Sequence, residues 1–467
     1  MRAKSKRRES TKGLVRGIET FIEVIILCVT YYLFWRHGYN LDSFFTARGK
    51  YVLMGIYGII FFAVVKNSDG FQFGNLRKFD LCLAQWVGIL ITNFLTYFQH
   101  CLIQNHMITP VPIILLTVTE VFMAIAFIFL YNRIYHNTYA PHKMIMIFGT
   151  DEAVGLKIKL DSRRDKYKIE KLISAEEDFS KICEEIVKYE AVILNDVPAQ
   201  IRNDILKFCY ENELRVYVVP KITDVILRGA RSVSLFDTPI FLVKGTGLTI
   251  TQKALKRILD ITLCLIAMIP AAPIMLVVAL AIKLEDGGPV FYKQKRVTRD
   301  SECFDILKFR SMIVNAEASG ESIPATGKDP RITKVGNIIR AIRIDELPQI
   351  FNILKGDMSV VGPRPERVEH VEQYTKEIPE FVYRLKVKGG LTGYAQIYGK
   401  YNTSAYDKLR LDLMYIENYS ILLDLKLILT TIRVMFQKES TEGFEKQAEN
   451  EKLVKELIEE TKVDTDK

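Results

Sequence analysis

The segment from Arg340 to Glu366 carries the densest group of side chains that could do chemistry. It reads RAIRIDELPQIFNILKGDMSVVGPRPE, with adjacent carboxylates at Asp345 and Glu346. Arg340 precedes this pair, and Arg364 follows it between two prolines. Adjacent carboxylates surrounded by arginines, beside a predicted helix N-terminus, suit a site that binds phosphate and a metal ion. The simpler interpretation is an N-cap aspartate with an acidic neighbour, which is common in helices.

The two carboxylates can take different roles because successive helical residues point about 100° apart. An aspartate has a reference pKa of about 3.9, so it is already ionised and can act as a nucleophile without a general base. None of the six histidines lies within the segment. The other carboxylate could hold Mg²⁺, which usually takes one or two carboxylates together with phosphate oxygens of the substrate.

Two further stretches could contribute to the same site. Upstream, FDILKFRSM supplies Lys308 and Arg310 at the end of an alternating, strand-like pattern. Downstream, the glycine-rich stretch VKGGLTGYAQIYGKYN can bring backbone close to a ligand. Either signal is weak alone, because a basic pair and a glycine-rich turn are everyday features.

An uncharged run from Ile261 to Ile282, with basic flanks, lies upstream of the Arg340–Glu366 segment and determines on which side of the membrane that segment lies. It could be a fifth membrane span, a buried core helix or a re-entrant hairpin. A core helix is rarely apolar all round over this length. A span would put strongly basic sequence outside, against the positive-inside tendency. Pro270 and Pro273 disfavour an uninterrupted helix, since each lacks an N–H. We therefore favour a helix–break–helix that enters the membrane and returns.

Four earlier stretches are long enough to cross a membrane: Gly17–Trp35, Tyr51–Val65, Cys82–Leu102 and Pro110–Tyr131. Glu23 and Glu120 lie inside two of them and are predicted to make polar contacts within the bundle; a transport pathway is the alternative. The basic N-terminal tail and the second loop place the N-terminus and all residues after Arg133 in the cytoplasm. The basic first loop is an exception to this pattern.

From Lys143 onwards the pattern changes to short apolar strands, KMIMIFG, EAVILN and RVYVVP, separated by amphipathic stretches. This alternation predicts a parallel, Rossmann-like βαβ sheet. The first strand runs into GTDEAVG, which lacks the full glycine fingerprint and carries Asp151 and Glu152. Those carboxylates would repel a pyrophosphate, so we expect a structural or regulatory domain rather than a nucleotide site.

Composition limits the remaining possibilities. The 467 residues carry a net charge of +9, which suits anionic partners such as nucleotides and lipid headgroups. The basic residues are dispersed and no nucleic-acid module is present, so we expect no nucleic-acid partner. Seven cysteines without a CxxC pair indicate neither a metal cage nor a disulfide framework. The predicted domains are residues 1–135, 143–245 and 248–437, followed by a charged tail at 438–467.

Several of these motifs together resemble the bacterial sugar transferases, the polyprenyl-phosphate hexose-1-phosphate transferases that start capsule and exopolysaccharide synthesis. The resemblance covers Leu248 to Gln437 and includes AIKLEDGGPVFYKQKRV, KFRSM, IDELPQIFNILKGDMSVVGPRPE and GLTGYAQIYGKYN. The order of the preceding domains is similar to the large, WbaP-like branch. The sequence departs from the family pattern at two places. Position 343 is Arg, where a small hydroxyl residue is common, and the stretch VTRDSECF lacks the usual glycines.

The resemblance implies a membrane protein with a four-helix transmembrane bundle, a Rossmann-like α/β domain and a monotopic α/β catalytic domain carrying a re-entrant membrane helix. It implies that Asp345 attacks the β-phosphate of a UDP-sugar, releases UMP and passes the sugar-phosphate to undecaprenyl phosphate. Glu346 would bind Mg²⁺, and Lys308, Arg340 and Arg364 would contact phosphates. Arg310, two residues after Lys308 in KFRSM, is counted with these predicted phosphate-binding residues.

The expected location is a bacterial plasma membrane, with a multi-pass chain among the membrane lipids and the catalytic domain on the cytoplasmic face. A non-catalytic scaffold or regulator of polysaccharide assembly is the alternative function. The sugar, the polysaccharide, the roles of Arg343 and of the Rossmann-like domain, and the oligomeric state stay open, with a homodimer as one option.

Overall fold

The computed structural model describes residues 2–39, 48–139, 141–150, 155–161, 163, 166–314, 329–399 and 403–435, and the side chains from residue 12 onwards. The chain divides into two compact units, with the boundary between Val219 and Pro220. The predicted tail at 438–467 and the Asp151–Glu152 pair lie outside the described residues.

The first unit begins with long apolar helices at the predicted spans. Each packs against the next, and the fourth packs back against the first. Their bounds are α1 Arg2–Tyr39, α2 Gly49–Asn67, α3 Lys78–Gln104 and α4 Val111–Thr138. Together with one helix of the second unit, five described helices are long and apolar enough to cross a membrane. These helices identify the chain as a membrane protein.

Some buried polar side chains inside this helical region are bonded to one another, in a group around Glu120. Glu120 is fully buried and accepts hydrogen bonds from Tyr57 at 2.6 Å and Asn93 at 2.7 Å. The Tyr57 ring stacks on that of Tyr31 with centroids 4.3 Å apart. Glu23 is also buried, beside Gln85. The prediction of a polar contact within the bundle is confirmed for Glu120, because its carboxylate has donors from two other helices.

The rest of the first unit is a four-stranded parallel sheet in the order β2-β1-β3-β4, as predicted from the alternating pattern. The strands are β1 His142–Phe148, β2 Tyr167–Ser174, β3 Ala191–Asn195 and β4 Arg215–Val218. The helices are α5 Gly155–Asp161, α6 Phe179–Ile186 and α7 Ala199–Glu211.

The strand order reverses between β1 and β3, which is where ligands bind in doubly wound sheets. At this point Gly149 lies against the backbone that follows β3. A Cβ at position 149 would come within 2.1 Å of the Asp196 carbonyl oxygen. The glycine is therefore needed for the close approach of the chain after β1 to the chain after β3.

The second unit begins earlier than the predicted boundary at residue 245. Ile222 and Val225 of α8 are buried in one core with Leu409 and Leu413. Because this packing joins α8 to the C-terminal helices, residues 220–245 belong with the second unit. Its elements are α8 Ile222–Arg228, β5 Arg231–Leu235, β6 Thr238–Leu242, α9 Ile250–Asp286, β7 Phe291–Val297, β8 Cys303–Phe309, α10 Lys334–Ala341, α11 Gln349–Lys355, β9 Ser359–Val361, α12 Val368–Glu377, β10 Gly390–Thr392, α13 Tyr394–Tyr398, α14 Ala405–Glu417 and α15 Ile421–Met435.

Short strand pairs frame the site in this unit. β7 and β8 form an antiparallel hairpin, and β9 pairs with β10 in parallel. The β7–β8 turn is the loop that lacks glycine. Asp300 and Ser301 take its left-handed positions, with φ of 57° and 63°. Aspartate tolerates this conformation better than most residues, which lets the loop turn without glycine.

The helix α9 differs from the predicted helix–break–helix. It is one α-helix of 37 residues, with Pro270 and Pro273 inside it. Its N-terminus has a capping box, in which Thr249 and Gln252 exchange hydrogen bonds. The side chains of Cys264, Ala271 and Met275 pack into one core on both sides of the prolines. This continuous packing holds the helical backbone despite the two missing N–H donors, so the expectation of two separate helices is corrected.

Opposite faces of α9 have different environments. The buried side chains follow helical spacing, at Lys256, Asp260, Cys264, Ala271, Met275, Val278 and Ile282. The opposite face carries exposed apolar side chains, at Leu265, Ile266, Ile269, Leu276, Val277, Leu280 and Leu284. An exposed apolar face of this length is typical of contact with lipid.

Both ends of α9 are bonded to the same folded unit. Near the start, Arg257 donates to the carbonyls of Ile353 and Leu354 at 2.5 and 2.6 Å. At the other end, Glu285 accepts a hydrogen bond from the Lys334 backbone N–H at 2.8 Å. Both ends of the helix are therefore held by the same unit.

Candidate active site

Three elements bring charged side chains together around Glu346. Lys308 on β8 donates to Glu346 Oε1 at 3.1 Å. Arg364, in the loop between β9 and α12, places Nη2 3.5 Å from the same oxygen. The Glu346 side chain is 17% exposed and that of Lys308 is 20% exposed. Two cations from distant parts of the sequence thus converge on one buried carboxylate.

The Asp345–Glu346 pair lies in a 3₁₀ turn, Ile344–Glu346, and not at the start of an α-helix as predicted. α10 ends at Ala341, and Arg343 takes a left-handed conformation with φ of 56°. Pro348 then occupies the N-cap of α11. Because the 3₁₀ turn has three residues per turn, adjacent side chains point about 120° apart. The two carboxylates can therefore serve different partners, as the sequence suggested.

An asparagine joins the helix after this turn to the strand that carries Lys308. Asn352 Nδ2 donates to the Asp305 carbonyl at 2.8 Å, and its Oδ1 accepts from the Leu307 N–H at 2.9 Å. One side chain thus satisfies two backbone groups on the edge of β8. Asn352 was not predicted from the sequence, because a buried asparagine in a short helix carries no pattern of its own.

The neighbouring charges give the two carboxylates different pKa values. Burial would raise the pKa of Glu346, but the charges of Lys308 and Arg364 outweigh it and lower this pKa to about 2. Burial raises the pKa of Asp345. The positive charges of Lys308 and Arg340 lower the pKa of Asp345, and the negative charge of Glu346 raises it further. Burial also lowers the pKa of Lys308, against the attraction of Glu346.

The predicted phosphate-binding residues do not all have the same surroundings. The charge of Arg340 acts on Asp345, and Lys308 and Arg364 contact Glu346. Arg310 instead pairs with Asp286 at the C-terminal end of α9 and lies against Gly288. Arg310 is 7% exposed, and it follows the last residue of β8. Its contacts in the described structure attach α9 to the core rather than facing the carboxylate pair.

The donor set fits a metal ion that is shared with a substrate. Among the described residues, no group of three or more His, Cys, Asp and Glu side chains could form a metal cage. Both cations contact Oε1 of Glu346, and no contact in the described part of the chain involves its Oε2. Mg²⁺ typically binds through one or two carboxylates plus phosphate oxygens and water. Glu346 can offer such a ligand with Asp345 beside it.

A family model matches the part of the chain that carries this site. The family model described as bacterial sugar transferase matches residues 251–438, which include all of α9 except its first residue and the whole carboxylate site. A UDP-N-acetylgalactosamine-undecaprenyl-phosphate N-acetylgalactosaminephosphotransferase from Aeromonas hydrophila is 38% identical over 268 residues, covering 53% of this chain and 59% of the relative.

Two shorter relatives match over more of their own length. A UDP-glucose:undecaprenyl-phosphate glucose-1-phosphate transferase from Caulobacter vibrioides is 41% identical over 182 residues, 38% of this chain and 68% of the relative. The uncharacterized sugar transferase EpsL from Bacillus subtilis is 38% identical over 185 residues, 40% of this chain and 89% of the relative. The chain belongs to the bacterial sugar transferase family. It spans only about half the length of several longer relatives.

Proposed function

We propose that this chain transfers a sugar-1-phosphate from a UDP-sugar to undecaprenyl phosphate, forming undecaprenyl-diphosphate-sugar and UMP in the first membrane step of exopolysaccharide or capsule synthesis. The Asp345–Glu346 pair beneath Lys308, Arg340 and Arg364 is the observation that carries the proposal. The names of the Aeromonas and Caulobacter relatives supply the substrate classes.

The first half of the proposed reaction uses Asp345 as the nucleophile. A carboxylate oxygen attacks the β-phosphorus of the UDP-sugar, and the bond from that phosphorus to the bridging oxygen breaks. UMP leaves with the bridging oxygen, and the sugar-phosphate stays on Asp345. Arg340 supports this step because its positive charge favours the ionised form of Asp345.

The second half returns the enzyme to its starting state. A phosphate oxygen of undecaprenyl phosphate attacks the same phosphorus, and the bond to Asp345 breaks. Lys308 and Arg364 lie where they can neutralise phosphate charge during both steps. Glu346 would hold Mg²⁺, which would supply positive charge next to the diphosphate of the UDP-sugar.

The same proposal puts the second unit, called the catalytic unit below because it carries the Asp345–Glu346 pair, at the membrane surface. The four earlier helices would form a transmembrane bundle, and α9 would enter the bilayer as one helix, kinked at its prolines, with both of its ends on the same side of the membrane. Contacts of both ends of α9 with one core support this path. Its exposed apolar face would contact lipid. The catalytic unit would then lie on the cytoplasmic face, where a soluble nucleotide sugar and a lipid phosphate can both reach Asp345.

A UMP-release assay tests the activity. Purified protein in nanodiscs is given undecaprenyl phosphate, Mg²⁺ and a panel of UDP-hexoses and UDP-N-acetylhexosamines. We expect UMP release with at least one sugar, and a labelled sugar-phosphate on the protein when the lipid acceptor is omitted. Release that requires the acceptor, with no labelled protein at any time, would exclude the covalent route while keeping the overall transfer.

Topology is tested by labelling single cysteines at two exposed lysines, one in the first turn of α9 and one beyond its C-terminal end. Lys253→Cys and Lys293→Cys are made after replacement of the native cysteines, because Cys303 is exposed. A membrane-impermeant reagent should label both positions from the cytoplasmic side only. If the second position is labelled only from outside, α9 crosses the membrane.

A further inference from the structure

The loop that carries Arg364 has four consecutive carbonyl groups with separate hydrogen-bond donors. The Pro363 carbonyl accepts from the Gly390 N–H at 2.9 Å, and the Glu366 carbonyl accepts from the Val297 N–H at 3.0 Å. The Arg364 carbonyl accepts from Arg384 Nη2 at 2.9 Å, and the Pro365 carbonyl from Arg296 Nη1 at 3.1 Å. The two central carbonyls are thus bonded to guanidinium groups, which make stronger hydrogen bonds than neutral donors.

Arg384 is built into the core beneath this loop. Its side chain is 2% exposed and its guanidinium carbon lies 4.8 Å from the centre of the Phe381 ring. Nε and Nη2 lie 2.9 and 2.8 Å from Asp412 Oδ2, and that carboxylate is also buried. Asp412 therefore fixes the guanidinium plane that reaches the Arg364 carbonyl.

We propose that Arg384, held by Asp412, is a positioning residue that sets the backbone of Arg364 and thereby aims the Arg364 side chain at Glu346 and the substrate phosphate. This inference rests on the proposed function. Arg364 itself is 43% exposed at the side chain and touches Glu346 at 3.5 Å. A side chain with that much freedom depends on a fixed backbone for its direction. Arg296 supports the next carbonyl of the same loop.

Lysine cannot replace this arginine. The planar guanidinium presents several N–H groups in one rigid fork, so it bonds to Asp412 and to the Arg364 carbonyl together. A lysine keeps the charge but offers a single ammonium on a flexible chain. With Arg384→Lys, we expect the loop to lose one of the two guanidinium groups that bond to its central carbonyls. A displacement of about 1 Å at a catalytic group can lower the rate about 100-fold.

A double-mutant cycle tests the proposal. UMP release is measured for wild type, Arg384→Lys, Arg364→Ala and the double variant, with the thermal unfolding midpoint recorded for each. Arg384→Lys should lower kcat/KM about 10- to 100-fold. In the Arg364→Ala background, the same change should lower it less than about threefold, because the positioned side chain is already absent. If Arg364→Ala leaves no measurable rate, Arg364→Lys takes its place.

A matched control comes from Arg410, which has the same kinds of contact away from the site. Arg410 donates to the Pro220 carbonyl at 3.0 Å and pairs with Asp407, and its guanidinium carbon lies 4.8 Å from the Tyr406 ring centre. Arg410→Lys should lower the unfolding midpoint without the loss of kcat/KM. Equal losses from the two substitutions would identify a general effect of replacing an arginine in this unit and overturn the proposal.

The outcomes separate this inference from the proposed function. If wild type releases no UMP from any UDP-sugar, the proposed function fails. If wild type is active and Arg384→Lys lowers kcat/KM equally in both backgrounds, only the positioning role fails. If Arg384→Lys does not fold, Arg296→Lys repeats the cycle, since it weakens the support of the neighbouring carbonyl. Equal losses in both backgrounds would again overturn the proposal.

Discussion

The ammonium group of Lys308 lies 3.1 Å from Glu346 Oε1, in a site where both side chains are at least four-fifths buried. Burial alone would raise the pKa of Glu346, but the charge of Lys308 lowers it. The ion pair therefore helps to keep Glu346 ionised next to Asp345. Removing one partner of such a pair leaves an uncompensated buried charge. The relationship therefore links the chemistry of the site to the stability of the catalytic unit.

The nucleophile prediction concerns Asp345. Asp345→Asn should lower UMP release at least about 10³-fold, since an amide cannot attack the phosphorus and enzymes that lose their nucleophile fall by at least this much. The unfolding midpoint should stay close to that of wild type, because the substitution keeps the shape of a partly exposed side chain. A rate within tenfold of wild type would exclude Asp345 as the nucleophile.

The stability prediction concerns Glu346. Its pKa is lowered from 4.5 to about 2, so its ionised form stabilises the fold above pH 4.5, and this contribution is lost as pH falls towards 2. At pH 7, Glu346→Gln should destabilise the catalytic unit by about 3 kcal/mol. The difference between wild type and variant should shrink from pH 5 to pH 3. Thermal unfolding in nanodiscs at several pH values measures this stability difference. A difference that does not change with pH would contradict the lowered pKa of Glu346.

The activity prediction concerns Arg340, whose charge opposes the raised pKa of Asp345. Asp345 must be ionised to attack, so kcat/KM should fall as pH drops through its pKa. Arg340→Gln removes the positive charge and should move this acid limb to higher pH. Arg340→Lys keeps the charge and should leave the limb close to its wild-type position. If both variants lose rate equally at every pH, Arg340 acts only by contacting the substrate.

The final prediction separates two roles for Arg310. Sequence placed it among the phosphate contacts, whereas its described partner is Asp286 at the end of α9. If the pair anchors α9, Arg310→Gln and Asp286→Asn should lower the unfolding midpoint similarly and leave the KM for the UDP-sugar within about twofold. Denaturation curves and steady-state kinetics of both variants provide the comparison. A large rise in KM with Arg310→Gln alone would restore the phosphate role.

Much of the architecture follows from local pattern. Runs of about 20 apolar residues predict membrane helices because helical rise and bilayer thickness match. Short apolar strands between amphipathic stretches predict a parallel sheet. The acidic pair with its flanking arginines was also visible, since all of these residues lie within one short segment. These features depend on near neighbours in the chain, which periodicity and motif spacing describe.

Other features were decided only by tertiary packing. Lys308 and Arg310 are two residues apart and would share a face of an extended strand. β8 ends at Phe309, so Arg310 leaves that alternation and turns to Asp286. The continuous course of α9 through its prolines likewise depends on a core built from distant strands and helices.

The amino-acid sequence by itself therefore determined which residues could form the catalytic pair and which segments could enter the membrane, because these properties belong to side-chain type and local spacing. Only the folded structure decided that Lys308 and Arg364 share one oxygen of Glu346, and that Arg384 supports the Arg364 backbone from 20 residues away. Those contacts join segments that are separate in the chain. Their geometry is set by how buried surfaces pack and by the need of each buried charge for a partner.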